Sequence, residues 1–425
     1  VSASSTTPPS TPRRRVAVTG FGVKTPAGLD TKTLWARLRA GTSTAGPIKR
    51  FDASALPVAM ACEVGEEFDP VAYLGVKEAR RADRVAQFGF AAAVDALAMA
   101  GPLNADPQRC GVVGGTGVGG LTTQEAEEHA LIEKGPMRVT PFLVPMMMAN
   151  ATPALIALHH GWTGPNLCVT TACAAGSHAI GEASRLIRHG ECDVVLAGGA
   201  EAAITPIALA AFARMGALSG RTDDPAAASR PFDADRDGFV MGEGAAYLVL
   251  EDWDRAVDRG AAIVGEVLGY ARNSDAFHIT APSEDGAGAV ACMELALRDA
   301  GVSPAEIGHV NAHGTSTPLN DAGESRALNK VFGGTPPPVA ATKGVTGHLV
   351  GAAGAVEAVA SLLALQHKEI PPTANHQRTD PDIALDVVHG SPRPLADRKP
   401  VLSNSFGFGG HNATLILGSG PTATE

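Results

Sequence analysis

At 425 residues, 45% of them hydrophobic, the chain is long and apolar enough to bury one large or two medium cores, which excludes a disordered or fibrous protein. A formal net charge of −10, with Lys and Arg scattered rather than blocked, leaves no electrostatic footprint for nucleic acid or an anionic membrane surface. Six cysteines stand without a Cys-x-x-Cys pair or a Cys/His cluster at zinc spacing, so they are read as reduced thiols of a cytosolic protein, and no apolar run reaches the roughly 18 residues of a membrane span.

Ser, Thr and Pro dominate the opening residues, which predicts a disordered tail over 1–14. From Arg15 onward short β-rich runs alternate with Ala-rich stretches of helical period, the pattern of an α/β protein with buried sheets. Strands are predicted at 15–22, 110–118, 193–202 and 245–251, with helices at 84–100 and 174–189. The order then repeats, with strand roles for 262–271, 309–317, 339–344 and 401–418 and helices at 287–300, 321–330 and 351–366. Two similar halves follow, 15–261 and 262–418, with a short tail at 419–425 and a cleft where strands end and helices begin.

One stretch of the first half, VTTACAAGSHAIGEA (169–183), puts Cys173 between a strand-like run and a helix. Unpaired N–H groups and the helix dipole favour an anion there, so the thiol pKa is expected to fall from about 8.5 toward neutrality. The small neighbours Ala172, Ala174, Ala175 and Gly176 are expected to leave room for a substrate. A small buried core residue is the other reading of such a cysteine.

The second half offers three further turns. NAHGTSTPLND (311–321) sets His313 at a strand end before Thr315, Ser316 and Thr317. TKGVTGHLVGAAGAVEA (342–358) sets Lys343 and His348 in a Gly-rich turn leading into a helix, and SNSFGFGGHN (403–412) surrounds Phe406 and Phe408 with glycines. A lone histidine is more often structural than catalytic, but several such corners together favour a site. The run GGTGVGG (114–120) lacks the spacing of a dinucleotide fingerprint, so a nicotinamide cofactor is rejected.

Together these stretches, with ASRPFDADRDGFVMGEGA (228–245), resemble an elongating β-ketoacyl-acyl-carrier-protein synthase of the synthase II type, in the thiolase superfamily, from about Arg15 to Gly418. The resemblance implies a thiolase-like fold of two halves with buried mixed sheets in an α-β-α-β-α layering. It implies a decarboxylative condensation in which Cys173 takes an acyl chain, while His313 and His348 promote loss of carbon dioxide from a malonyl thioester and stabilise the enolate. Lys343 is then a catalytic support paired with Glu357, and the N–H groups of Cys173 and Phe408 form an oxyanion hole, with the Phe408 ring as a gate. Thr315 and Thr317 match residues that bind the phosphopantetheine arm, and Val118 matches a wall of the acyl pocket. No metal and no cofactor are implied beyond that arm.

The partner implied is an acyl carrier protein. In GVKEARRADR (75–84), Lys77, Arg80, Arg81 and Arg84 fall within about two to three helical turns. Lys77, Arg80 and Arg81 resemble the carrier-docking cluster, and a solvated face neutralised by Glu78 and Asp83 is the plain alternative. The resemblance implies a homodimer, or a heterodimer with a chain-length-factor subunit, in fatty-acid or type II polyketide elongation. The competing reading, a non-catalytic chain-length-factor-type partner, is opposed by the presence of Cys173 and both histidines. His159, His160, His178, His376, His411 and Cys168 are read as packing or surface residues, with Cys168 on a buried strand. Met146, Met147 and Met148 stand where the family places a subunit interface and acyl tunnel.

Overall fold

The computed structural model describes residues 13–283 and 285–421. Its strand Val16–Lys24 (β1) is buried at every position, which accounts for a run that is mostly apolar rather than alternating, its polar members Thr19 and Lys24 paired with Glu251 and Asp95. Four more strands complete the first half: Cys110–Gly115 (β2), Asn166–Val169 (β3), Val194–Glu201 (β4) and Gly244–Asp252 (β5). The second half supplies Gly265–Ser274 (β6), His309–Asn311 (β7), Val339–Ala340 (β8), Val401–Gly407 (β9) and His411–Ser419 (β10).

The sheet order is β8-β7-β9-β10-β6-β1-β5-β4-β2-β3. Read outward from the seam between β1 and β6, both halves follow one itinerary: first strand, last, fourth, second, third. Directions repeat as well. The inner pairs β1/β5, β5/β4, β6/β10 and β10/β9 are antiparallel, and the outer pairs are parallel. The seam itself is short, pairing Ala17 with Glu266 and Val18 with Gly265.

Helices fill the layers as expected. Helix Arg84–Ala100 covers the first half's strands from outside, and helix Ala287–Ala300 covers those of the second. Between the two halves of the sheet lie Ala175–Arg188 and Ala353–His367, which pack on each other and on strands of both halves. One apolar core is therefore shared by the halves through Ile180, Leu248, Val356 and Leu415, whereas the outer cores are separate. Helix Ala353–His367 is buried from Ala353 to Leu365, so it is apolar on every face. This corrects the expectation about membrane-length runs: Val350–His367 has the length and hydropathy to cross a bilayer, yet 89% of it is buried inside the protein as a core element.

The structure sharpens several predicted boundaries. The stretch 401–418 is a hairpin of two strands, not one, and turns at Phe408–Gly410. Only the first residues of 309–317 and 339–344 are strand, which frees the rest to form loops at one end of the sheet. Of the expected tails, residues 1–12 and 422–425 lie outside the described residues. Arg13 and Arg14 are anchored by Asp299 and Asp252, and Ser419 closes β10.

Candidate active site

Three chain corners meet at one end of the shared core. Cys173 occupies a 3₁₀ turn, Ala172–Ala174, that opens directly into helix Ala175–Arg188. His313 lies just beyond β7. His348 follows Gly347, whose φ of 69° lets the chain reverse after the short helix Lys343–Thr346. The Cys173 Sγ is 3.0 Å from His348 Nε2, and the two imidazole centroids are 5.5 Å apart, edge to face. Cys173 is 8% exposed, His313 1% and His348 3%.

Hydrogen bonds assign the protons. The Val350 N–H donates to His348 Nδ1 at 3.3 Å, so a neutral ring carries its proton on Nε2, toward the sulfur. Lys343 Nζ, which can only donate, is 3.3 Å from His313 Nδ1, and His313 likewise holds its proton on Nε2. Burial first, and the Lys343 charge second, hold both imidazoles well below their ordinary pKa. They are neutral donors. Lys343 is itself held by Glu357 and by the His313 carbonyl oxygen at 2.5 Å. Cys173, His313 and His348 bring three metal-type ligand atoms within 4.8 Å of one another, but a proton on each Nε2 is the tautomer opposite to that of a ligand.

The thiol departs from expectation. Burial pushes the Cys173 thiol up to about 11, against the opposing pull of Lys343 and of the Phe408 and Cys173 N–H groups. Removal of water outweighs the helix terminus. The small neighbours also serve another purpose: Ala172 and Cys173 line the cavity, but Ala174, Ala175 and Gly176 are buried in the fold, Ala175 beside Gly115 and Gly176 beside the facing helix. A Cβ on Gly176 would lie 2.7 Å from the Ala355 nitrogen, so any larger residue forces the two central helices apart.

A cavity of about 570 Å³ opens over these groups. Val118, Phe408, Thr315 and Thr317 line it, and the two threonine hydroxyls lie 2.9 Å apart. Phe239 packs edge-on against His348 and Phe406 against His313, which fixes both rings from the apolar side. The Met147 carbonyl accepts from the Gly120 N–H at 3.2 Å, bracing the turn two residues beyond Val118.

Other residues brace the site from afar. Buried Glu324 accepts N–H bonds from His313 and Gly314, both at 2.9 Å. Buried Glu201 holds Gly117 and Gly351. Burial raises both carboxyls to about 7, while their N–H donors pull the other way. In the stretch 228–245, Val240 and Gly242 bond the backbone of His348 on both sides, and Phe232 sits under Gly314 with its N–H on Asp321. Glu201 carries no signal in the sequence, because the turns it holds lie far along the chain, whereas Glu324 reaches back only about one helix's length to the His313 turn.

The basic stretch is not one helix. Helix Pro70–Ala79 is broken at Gly75 and ends before Arg80, and Asp83 caps the next helix through the Val85 N–H instead of neutralising a cation. Lys77, Arg80 and Arg81 are exposed, with Arg81 stacked 4.5 Å over the Phe142 ring. Arg84 is withdrawn into an ion pair with buried Glu243. Cys168 is also corrected: β3 is an edge strand, Leu167 is exposed and Cys168 is half-buried. His178 and His376 are buried and hydrogen-bonded within the fold.

Comparison with known proteins agrees with this geometry. Residues 13–256 match the Beta-ketoacyl synthase N-terminal domain, and residues 264–377 match the Beta-ketoacyl synthase C-terminal domain. A 3-oxoacyl-[acyl-carrier-protein] synthase 2 of Synechocystis is 48% identical over 414 residues, covering 95% of this chain and 98% of the relative. Among solved structures, the ishigamide ketosynthase/chain length factor is similar with a TM-score of 0.89 at 40% identity, covering 96% of this chain and 100% of that one. A type II polyketide ketosynthase, solved in complex with its acyl-carrier protein, is similar with a TM-score of 0.86 at 30% identity over 96% of this chain and 100% of its own. With both domain types matched in order, a relative near half identical over its whole length and three chain corners bringing Cys173, His313 and His348 together, the chain belongs to the β-ketoacyl synthase family.

Proposed function

We propose that the chain joins a Cys173-bound acyl group to a malonyl unit carried on acyl carrier protein, releasing carbon dioxide and a 3-ketoacyl thioester two carbons longer. The observation that carries this reading is the 3.0 Å approach of Cys173 Sγ to a neutral, Nε2-protonated His348, with a second such imidazole beside it. Relatives named for this synthase activity support it.

The steps follow from the donors present. Sγ attacks the acyl thioester carbonyl, and the oxyanion faces the N–H groups of Cys173 and Phe408, which already bear on the sulfur. The carrier sulfur leaves with the Cys173 proton, so a neutral resting thiol is compatible with acyl transfer. Malonyl thioester then enters over Thr315 and Thr317. As its carboxylate departs as carbon dioxide, the C–C electron pair becomes an enolate whose oxygen takes hydrogen bonds from Nε2–H of His313 and His348. The enolate carbon attacks the acyl-Cys173 carbonyl, and collapse expels the Cys173 thiolate.

No metal and no redox cofactor enters this scheme, in keeping with imidazole tautomers set for donation. Lys77, Arg80 and Arg81 are assigned to the acidic carrier, and a second subunit, a like copy or a chain-length-factor type, to the exposed edge at β3. The chain-length-factor reading of this chain itself is disfavoured by the complete Cys/His/His corner. Six free cysteines suit a reducing cytosol. Fatty-acid and polyketide elongation share this chemistry. Incubation of purified protein with acyl- and malonyl-carrier thioesters, read by mass spectrometry of the carrier, tests the proposal: a 3-ketoacyl carrier is expected, and carriers left unextended overturn it.

A further inference from the structure

Glu201 ends β4 fully buried, and the groups bonded to it are uncharged donors. Oε1 accepts the Thr116 hydroxyl at 3.0 Å, and Oε2 accepts the N–H of Gly117 at 2.6 Å and that of Gly351 at 3.0 Å. The Val118 N–H also bears on the carboxylate. These partners belong to different parts of the site. Thr116–Val118 follow β2 and carry the Val118 wall of the cavity, whereas Gly351 follows Val350, whose N–H sets the tautomer of His348. Val350 is a β-branched residue held at φ 45°, a strained conformation that must be imposed by its surroundings. The two turns also touch, since a Cβ on Gly351 would lie 2.2 Å from the Gly117 nitrogen.

We infer that Glu201 is a positioning residue that clamps the Val118 wall of one half to the His348 turn of the other, so that cavity shape and imidazole orientation are set together. The inference rests on the proposed role of His348. Its charge has a second effect. Of the groups acting on the Cys173 sulfur, Lys343 and the Phe408 and Cys173 N–H groups favour the thiolate, neutral His348 donates to it and neutral His313 stands behind, while Glu201 opposes it. The clamp therefore aids decarboxylation while restraining premature ionisation of the thiol.

Glu201→Gln removes the charge and turns one acceptor into a donor facing N–H groups. Two rates are read on the dimer or heterodimer as purified: Cys173 alkylation by iodoacetamide against pH, and carbon dioxide release from malonyl carrier. We expect the alkylation midpoint to move to lower pH, with a gain of about threefold near neutrality, while decarboxylation falls about 10- to 100-fold. Damage to the fold also unmasks the buried thiol, so the clamp is marked by opposite signs only while the five other cysteines, read by peptide mapping, keep their wild-type alkylation. Should that variant fail to fold, Thr116→Val removes one donor and keeps the charge; decarboxylation then falls about twofold with the alkylation midpoint unmoved. Both rates unchanged in folded Glu201→Gln, or both falling together, overturns the inference. Wild-type protein that releases no carbon dioxide refutes the proposed function instead, and the alkylation midpoint still decides the effect of the Glu201 charge.

Discussion

The two halves trace the same strand itinerary and finish it differently. In the first, β4 ends in Glu201, which gathers the N–H groups of the turn after β2. In the second, the equivalent β9 runs through Phe406 into the Phe408–Gly410 turn, and the carboxylate that gathers the turn after β7 comes from Glu324 in helix Pro318–Val331. Each half thus holds a Gly-containing corner with a buried acid, but only in the second does the strand end itself run on to line the cavity, through Phe406 and Phe408. The difference shows how a repeated frame supports an unrepeated site: the scaffold is shared, and the thiol and the two imidazoles are divided between copies.

The comparison breaks most sharply at the chemistry itself. Cys173→Ala leaves the first half folded, because a small side chain replaces a small one in a tight turn, and removes acylation and condensation altogether; circular dichroism and a carrier-extension assay check the two statements. Substituting the imidazoles of the second half, His313→Ala or His348→Ala, lowers carbon dioxide release about 10²- to 10³-fold, the cost of an oxyanion donor. Release at the wild-type rate would take them out of that role.

The supports should follow. Lys343→Ala leaves Glu357 buried without its cation, so we expect a loss of stability of about 3 kcal/mol or more as well as of activity, measurable by urea unfolding. Lys343→Ala together with Glu357→Ala recovers stability but not activity. The pH dependence sharpens the same point. Burial lowers the pKa of both imidazoles in the fold, so their contribution to stability is complete above the unfolded value, about 6.5, and is lost as pH falls through the depressed folded value. Carbon dioxide release accordingly shows no acid limb at the ordinary histidine value; a limb near pH 6.5 contradicts neutral, buried rings. The smallest effect belongs to the surface. Charge reversal at Arg80 and Arg81 weakens carrier binding at low salt by about tenfold, and much less at high salt, which titration at two ionic strengths measures.

Much of this was legible from residues. Strand and helix followed hydrophobic period, and Cys173, His313 and His348 announced themselves by sitting in Gly- and Thr-rich corners. What escaped depends on neighbours supplied from afar. The direction of the Cys173 pKa is decided by desolvation, which no local pattern reports. Glu201 and Glu324 look like ordinary acids until the fold brings backbone donors to them. Leu167 and Cys168 form an apolar run that a buried strand and an exposed edge share. Val350–His367 carries the composition of a membrane span and the location of a core helix.

Intact-mass spectrometry with peptide mapping, after incubation with an acyl-carrier thioester and then with malonyl carrier, tests the central assignment most directly. The expected record is a single acyl adduct on the Cys173 peptide that disappears as the extended carrier product forms. An adduct on another residue, or one on Cys173 that malonyl carrier does not discharge, contradicts the account.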